Sequence, residues 1–456
     1  MTTPPFTTRL RNAVTGDPGT PLVLLGNFEV EQQWARGEVT LPRLAAASGT
    51  AVVNRLDELA LLLGTSGDRV VVKDAPDPGF LEDLADLGFD LPTVVVATNH
   101  PERSVTQDAL DDPAVVAALG ALRGSGHQLL AHGVSDVEAR LAHATGLPLA
   151  APPPDLVRRV NSKVYSRRLA DAHGIRQPQG WACSTVDEWE AAVDAAAPLL
   201  AEGPLVVKEA FGVSGKGIAV VEDEKRLRRV ARLVSSRAAD GRLAFCLERW
   251  LDKGRDLNYQ LTVGRDGSVE LDFVKEALTE QGVHRGHRFP AHLDPAHVAE
   301  LTSTGAAVGA ALATDGFYGV VGIDAITLTD GTLHPLLEIN ARSNMSTYQL
   351  PLQERLVREG AVVLARHFTV RSHEPVDYRA VRAALGADRY DPSTGTGVVV
   401  HNFATVNAAF AARTADDLGR PATGRLYTLV VGRDVDHLDR LDHRVGAALA
   451  LLEEAA

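Results

Sequence analysis

Lysine is scarce in this sequence. Of 46 basic residues only seven are lysine: Lys73, Lys163, Lys208, Lys216, Lys225, Lys253 and Lys275. Against so strong a preference for arginine, a retained lysine marks a place where a compact point charge is favoured, although Lys225 and Lys253 read as surface residues. Cysteine is rarer still. Cys183 and Cys246 lie in apolar contexts without close spacing, which argues against a disulfide framework or a thiolate metal knuckle and fits a reduced cytoplasm. Positive charge is also lacking: the net charge of −13 argues against a DNA or RNA partner, whose affinity needs clustered cations. No 18-residue apolar run occurs, and "MTTPPFTTRLRNAVTG" has no apolar leader core, so a soluble cytoplasmic protein with no membrane partner is expected.

The remaining pattern divides into three. Residues 20–150 alternate apolar strands, "PLVLLGNF", "RVVVKD", "TVVVATN" and "HQLLAH", with helical stretches such as 105–123 and 135–145. That alternation predicts a parallel sheet covered by helices. No G-x-G-x-x-G follows the first strand, so nothing supports dinucleotide binding there. "APPPD" (151–155) is a boundary, with Asp155 placed to cap a cation-rich helix over 155–173. From Gly174 to about Val370 the pattern changes to strands and hairpins, with turn signals at Asp266-Gly267 and Asp330-Gly331 and helices near 223–239 and 295–314. The last 80 or so residues hold two further strands and a closing helix. The expected domains are 1–154, 155–374 and 375–456.

Three constellations carry chemistry. "VVKEAFGVSGKGIAVVED" (206–223) reads as strand, glycine-rich loop, strand. Gly212, Gly215 and Gly217 let successive amides point at phosphate oxygens. Ala210 and Gly217 break the Walker A pattern, and no helix follows, so either a flap over a nucleotide or an ordinary hairpin remains. Lys208, inside an apolar strand, favours an anion nearby. "LERWLDKGRDLNYQ" (247–260) offers Glu248 and Asp256 around a connector suited to an adenine edge and ribose hydroxyls, or equally to solvated charges.

The third is "LEINARSNM" (337–345) with Asp324 before it. Glu338 and Asn340 share a strand face. Asp324 joins them only if the hairpin register places it opposite Glu338. A two-residue turn at Asp330-Gly331 would instead set it against Leu337, so a longer loop or a bulge near Pro335 is predicted. Two carboxylates and an amide oxygen are hard ligands suited to Mg²⁺.

A helix lysine, a strand lysine, a glycine-rich flap, a Glu…Asp connector, and Asp followed by Glu-x-Asn-x-Arg resemble the ATP-grasp superfamily over about 155–370. The resemblance implies a Rossmann-like pre-ATP-grasp domain, an ATP-grasp domain and a small C-terminal α/β domain. It implies an ADP-forming ligase that uses ATP and Mg²⁺. Lys163 and Lys208 would touch ATP phosphates, as would Gly212, Ser214, Gly215, Lys216 and Gly217. Glu248, Trp250 and Leu251 would line the adenine and Asp256 the ribose, although Asp stands there where the longer Glu is common. Asp324, Glu338 and Asn340 would hold the metal, and Arg342 would meet the carboxylate or acyl phosphate. The loop "TEQGVHRGHRFPAH" supplies Arg285, His287 and Arg288 as substrate contacts. The flanks, "LGNFEVEQQW" among them, resemble pheganomycin-type natural-product peptide ligases. These imply a small carboxylic acid, such as a guanidino amino acid, joined to an amino acid or peptide acceptor in antibiotic biosynthesis. A homodimer is compatible with this. Rival readings are a dipeptide or γ-glutamyl ligase, a bicarbonate-activating carboxylase, and a nucleotide-binding regulator without catalysis.

Overall fold

The computed structural model describes residues 4–41, 50–212, 217–280, 283–413 and 419–452. Four short strands, β1 (Leu22–Leu25), β2 (Arg69–Val72), β3 (Thr93–Val96) and β4 (Gln128–Ala131), form a parallel sheet in the order β3-β2-β1-β4. β1 is buried along its whole length, as expected of a strand covered on both faces. The predicted helix over 105–123 is two helices, Val105–Asp111 and Pro113–Gly120. Pro113 cannot continue the first, and Asp112 caps the second by accepting from the Ala114 amide.

The cation-rich helix over 155–173 is likewise two, Pro154–Val160 and Lys163–Ala172. Asp155 is not its cap: Pro153 takes that position, and Asp155 lies in the first turn. The break falls at Asn161-Ser162, and the Ser162 hydroxyl accepts from the Val164 amide to start the second helix. Lys163 therefore opens a helix instead of sitting in the middle of one.

Two antiparallel sheets follow. β5 (Gly180–Thr185), β6 (Leu205–Glu209), β7 (Ile218–Val221) and β8 (Arg242–Arg249) pair in the order β5-β8-β6-β7, backed by a core containing Trp189, Leu227 and Phe245. The larger sheet contains β9 (Lys253–Val263), β10 (Val269–Glu280), β11 (Val283–Phe289), β12 (Gly319–Leu328), β13 (Leu333–Asn340), β14 (Val362–Ser372), β15 (Gly397–Asn402) and β16 (Ala422–Gly432). Its order is β13-β12-β9-β10-β11-β14-β16-β15. The C-terminal strands thus extend the same sheet that carries Asp324. β14 and β16 pair over eleven positions, from Val362↔Gly432 to Ser372↔Ala422.

Candidate active site

Register decides the metal row. Asp324 on β12 pairs directly with Glu338 on β13, and Gly322 pairs with Asn340. Nearer the turn the hairpin closes around a three-residue loop, with the Leu328 amide donating to the Thr332 carbonyl and Gly331 in the left-handed region (φ 86°). The ladder then shifts between Asp324 and Ile326, where Ala325 faces the three residues Pro335 to Leu337. That bulge at Pro335 brings Glu338 opposite Asp324.

Asp324 is partly buried. Burial, and then the charge of Glu338, raise its pKa to about 6. Its oxygens accept from Asn258 Nδ2 at 2.8 Å and Asn340 Nδ2 at 3.2 Å. Glu338 Oε1 accepts from Lys163 Nζ at 2.5 Å, and the same ammonium donates to the Gly212 carbonyl at 3.1 Å. Lys163 therefore connects the metal row to the start of the glycine loop. Asn258 had not been singled out in the sequence; its signal was an amide two residues before Gln260 in the β9 run "DLNYQLTV".

These residues fit a divalent ion. Two carboxylates held face to face in a partly buried setting favour a cation beyond the Lys163 ammonium already on Glu338, and their oxygen donors suit Mg²⁺. Among the described residues no group of three His, Cys, Asp or Glu side chains gathers anywhere, so the third protein donor would be the Asn340 amide oxygen.

The small sheet places Lys208 on β6, opposite Cys246 on β8. Its ammonium lies 2.6 Å from Glu248 Oε2, and Arg167 Nη1 lies 3.4 Å from Glu248 Oε1. Burial alone would lower the Lys208 pKa, but Glu248 overrides it and holds the ammonium above its ordinary value. Glu248 is thus buried between two cations. The Trp250 amide donates to the Pro204 carbonyl, and its indole is half exposed. Leu251 is partly buried in the three-residue link to β9. Asp256 is not in that connector: it lies inside β9, paired with Ile326 and Ala277, and its carboxylate meets Lys253 Nζ at 2.6 Å. A strand that begins at Lys253 leaves a link too short to hold it.

Gly212 and Gly217 flank the flap. Gly217 has φ 80°, a left-handed conformation that favours glycine, and a Cβ there would make the Glu209 carboxylate shift. Ser214, Gly215 and Lys216 lie outside the described residues, as does the Arg285 side chain.

The substrate loop divides by strand parity. His287 pairs with Ala277, the position that also faces Asp256, which places it on the same face as Asn258 and Asp324. Arg288 pairs with Glu276 and falls in the Leu257 row, on the opposite face. Arg288 is therefore not a clamp at the metal row, and its charge instead helps hold the Glu276 carboxyl low, after Arg255.

Arg342 is engaged from the first domain. Its Nε donates to Glu31 Oε1 at 2.6 Å, and its Nη2 also donates to that oxygen and to Asn340 Oδ1 at 3.2 Å. The Ser343 amide donates to the His132 carbonyl at 2.9 Å. The segment after β13 is thus docked on the parallel-sheet domain beside the metal row. Glu31 was missed in the sequence, where "FEVEQQW" offered only an acid near the end of an apolar strand.

Family models match in the same order along the chain: Pre ATP-grasp domain over residues 56–147; Carbamoyl-phosphate synthase L chain, ATP binding domain over 162–345; and PGM1 C-terminal domain over 387–445. With the fold and the row of ligands, they define the class: the chain is an ATP-grasp protein of the ligase kind. Among characterised proteins it is similar to the [butirosin acyl-carrier protein]–L-glutamate ligase of Niallia circulans, 24% identical over 382 residues, covering 83% of this chain and 85% of that protein. It is also similar to the carbamoyl phosphate synthase large chain of Xanthomonas axonopodis pv. citri, 26% identical over 322 residues, but spans only 29% of that protein. Solved structures with the same fold include the biotin carboxylase domain of the Hydrogenobacter thermophilus 2-oxoglutarate carboxylase with MgADP (14% identity, 91% of this chain and 86% of that one, TM-score 0.52). Another is the N5-carboxyaminoimidazole synthase of Aspergillus clavatus with ADP (12% identity, 94% and 98%, TM-score 0.52).

Proposed function

We propose that this chain joins a carboxylic acid to an amine, consuming ATP, through an acyl phosphate. The observation that carries the reading is the partly buried Asp324–Glu338 pair, with Lys163 on one carboxylate and Asn258 and Asn340 on the other. A carboxylate oxygen of the acid attacks the γ-phosphorus of ATP, the bond to the β,γ-bridging oxygen breaks, and ADP departs. The amine nitrogen then attacks the acyl carbon, the bond to the phosphate oxygen breaks, and the nitrogen loses a proton as the amide forms. A bound Mg²⁺, held by Asp324, Glu338 and Asn340, supplies charge neutralisation for the phosphate oxygens. Lys163 and Lys208 act as further point charges on the phosphates, and Arg342 steadies the acid or its acyl phosphate. The acyl phosphate must be kept from water, and the segments 206–223 and 279–292 are the candidates for that cover.

The acceptor is an amino acid, a peptide or a carrier-bound amine, and the product belongs to a peptide-like natural product. The likeness to the butirosin ligase supports this setting. A guanidino or amino acid joined to a peptide amino end remains the specific substrate proposal. Within it, residues 1–154, 155–374 and 375–456 act as the first, nucleotide and accessory units. The test is ADP release from purified protein with Mg²⁺ and a panel of amino, guanidino and dicarboxylic acids, alone and with amino acid, peptide or acyl-carrier amines. ADP that requires both an acid and an amine supports the reading. No ADP with any pair overturns it.

A further inference from the structure

The metal row extends one strand further than the chemistry above uses. Glu338, Asp324, Asn258 and Lys275 are successive register partners across β13, β12, β9 and β10. Lys275 therefore faces the same side as the carboxylates, two strand spacings or about 10 Å from Asp324. Its side chain is completely buried. Among the described residues it has no carboxylate partner. Its one hydrogen bond is a long one, 3.4 Å to Gln349 Oε1, and the Phe273 ring lies 4.4 Å away. Burial pushes its pKa down to about 7.

The groups around it are also short of partners. His401 occupies the bulge between the Val400 and Asn402 pairs of β15, is fully buried, and has neither ring nitrogen hydrogen-bonded. Burial first, and then the nearby Lys275 charge, push the pKa of that ring down to about 3, so the imidazole is neutral and can donate one N–H. On the helix Met345–Leu356, Ser346, Gln349 and Gln353 share one face at helical spacing. Ser346 Oγ and both amide atoms of Gln353 are buried without partners. Buried polar groups are ordinarily hydrogen-bonded, so such a concentration points to a ligand that completes them. Lys275, an imidazole N–H and the amide and hydroxyl donors favour an anion with several acceptor oxygens.

We propose that Lys275, with His401 and the polar face of the Met345–Leu356 helix, holds a carboxylate of an organic substrate that does not itself react. The separation from Asp324 puts this group at the far end of the molecule whose other end is activated or attacks. Its source is either a second carboxylate of the acid or the free carboxylate of the amine. This rests on the ligase reading, and it gives the C-terminal strands a task, since His401 comes from β15.

The test compares wild type with Lys275→Met, which keeps length and removes the amine. His401→Phe serves as a second variant if the first does not fold. L-glutamate probes the first source and glycylglycine the second, each beside its carboxamide, in the presence of MgADP. The expected result is a melting-temperature rise in wild type with one acid probe, absent with its carboxamide and absent in the variant. In ADP release, KM for substrates carrying that carboxylate should rise at least about thirtyfold, the loss expected when one partner of a buried charged pair is removed. An equal melting shift in both proteins, no shift with either probe, or an unchanged KM overturns the proposal. Failure of the ligase reading is a separate result, no ADP from any acid and amine.

Discussion

Asp324 and Glu338 face each other as register partners on adjacent antiparallel strands, and both are partly buried. Two acids so placed repel unless a cation joins them. Asp324→Asn and Glu338→Gln should each lower ADP release by about 100-fold or more. Asp324→Asn should raise the melting temperature by removing one of two like charges, whereas Glu338→Gln should lower it by leaving the nearly buried Lys163 ammonium without its carboxylate. A melting scan beside the ADP assay checks both halves. Strong destabilisation by Asp324→Asn would mean that the acid is structural.

Glu248 balances Lys208 and Arg167 in the small sheet. Glu248→Gln leaves two buried cations without their carboxylate and should cost about 3–5 kcal/mol in urea unfolding. Pairing Lys208→Met with Glu248→Leu should recover much of that stability without recovering activity. A double variant as unstable as Glu248→Gln would contradict the ion-pair account.

Glu31 reaches across from the first domain to Arg342. Glu31→Gln should weaken the hold on Arg342 and lower kcat/KM for the acid about tenfold, with little change in melting temperature. Steady-state ADP release against acid concentration measures it. Unchanged kinetics would show that Arg342 is positioned by other contacts.

His287 and Arg288 are adjacent, but strand parity sends them to opposite faces. His287→Ala should alter KM for an organic substrate, whereas Arg288→Ala should change it by less than about twofold. The reverse result would show that the loop is rearranged when substrate is bound.

Lys275 titrates near 7 in the folded chain against an ordinary 10.5. Between these values the unfolded chain takes up a proton that the folded chain does not. Stability from this group is therefore present at high pH and falls as pH drops from about 10 to 7, by on the order of 4 kcal/mol. Lys275→Met lacks this loss. Its stability advantage over wild type should grow across that window and level off below it, as read by urea unfolding at several pH values. A constant difference would mean that the amine stays charged in the folded protein.

Sequence carried much of this, unevenly. The four apolar runs of the first domain became β1 to β4, although only β1 is buried throughout and the edge strand β3 is largely exposed. The bulge at Pro335 was legible because only a change of register could bring Asp324 to Glu338. Side-chain partners were not legible. Glu248 was read at the adenine rim, and nothing local reveals that Arg167, 81 positions away, also meets it. Asp256 was assigned to a connector that proved three residues shorter than its charge pattern implied. Lys275 was noted only as one of few lysines, since its burial depends on β15, far along the chain.

The eleven-position pairing of β14 with β16 makes the C-terminal segment an extension of the catalytic sheet. Cutting the chain after β13 would leave the outer side of β11 as an open row of amides and carbonyls, a template for stacking with other copies. A shortened protein of this kind should precipitate instead of surviving as an active core. Exchange of this tail between related enzymes would have to preserve the ladder as well as any pocket built on it.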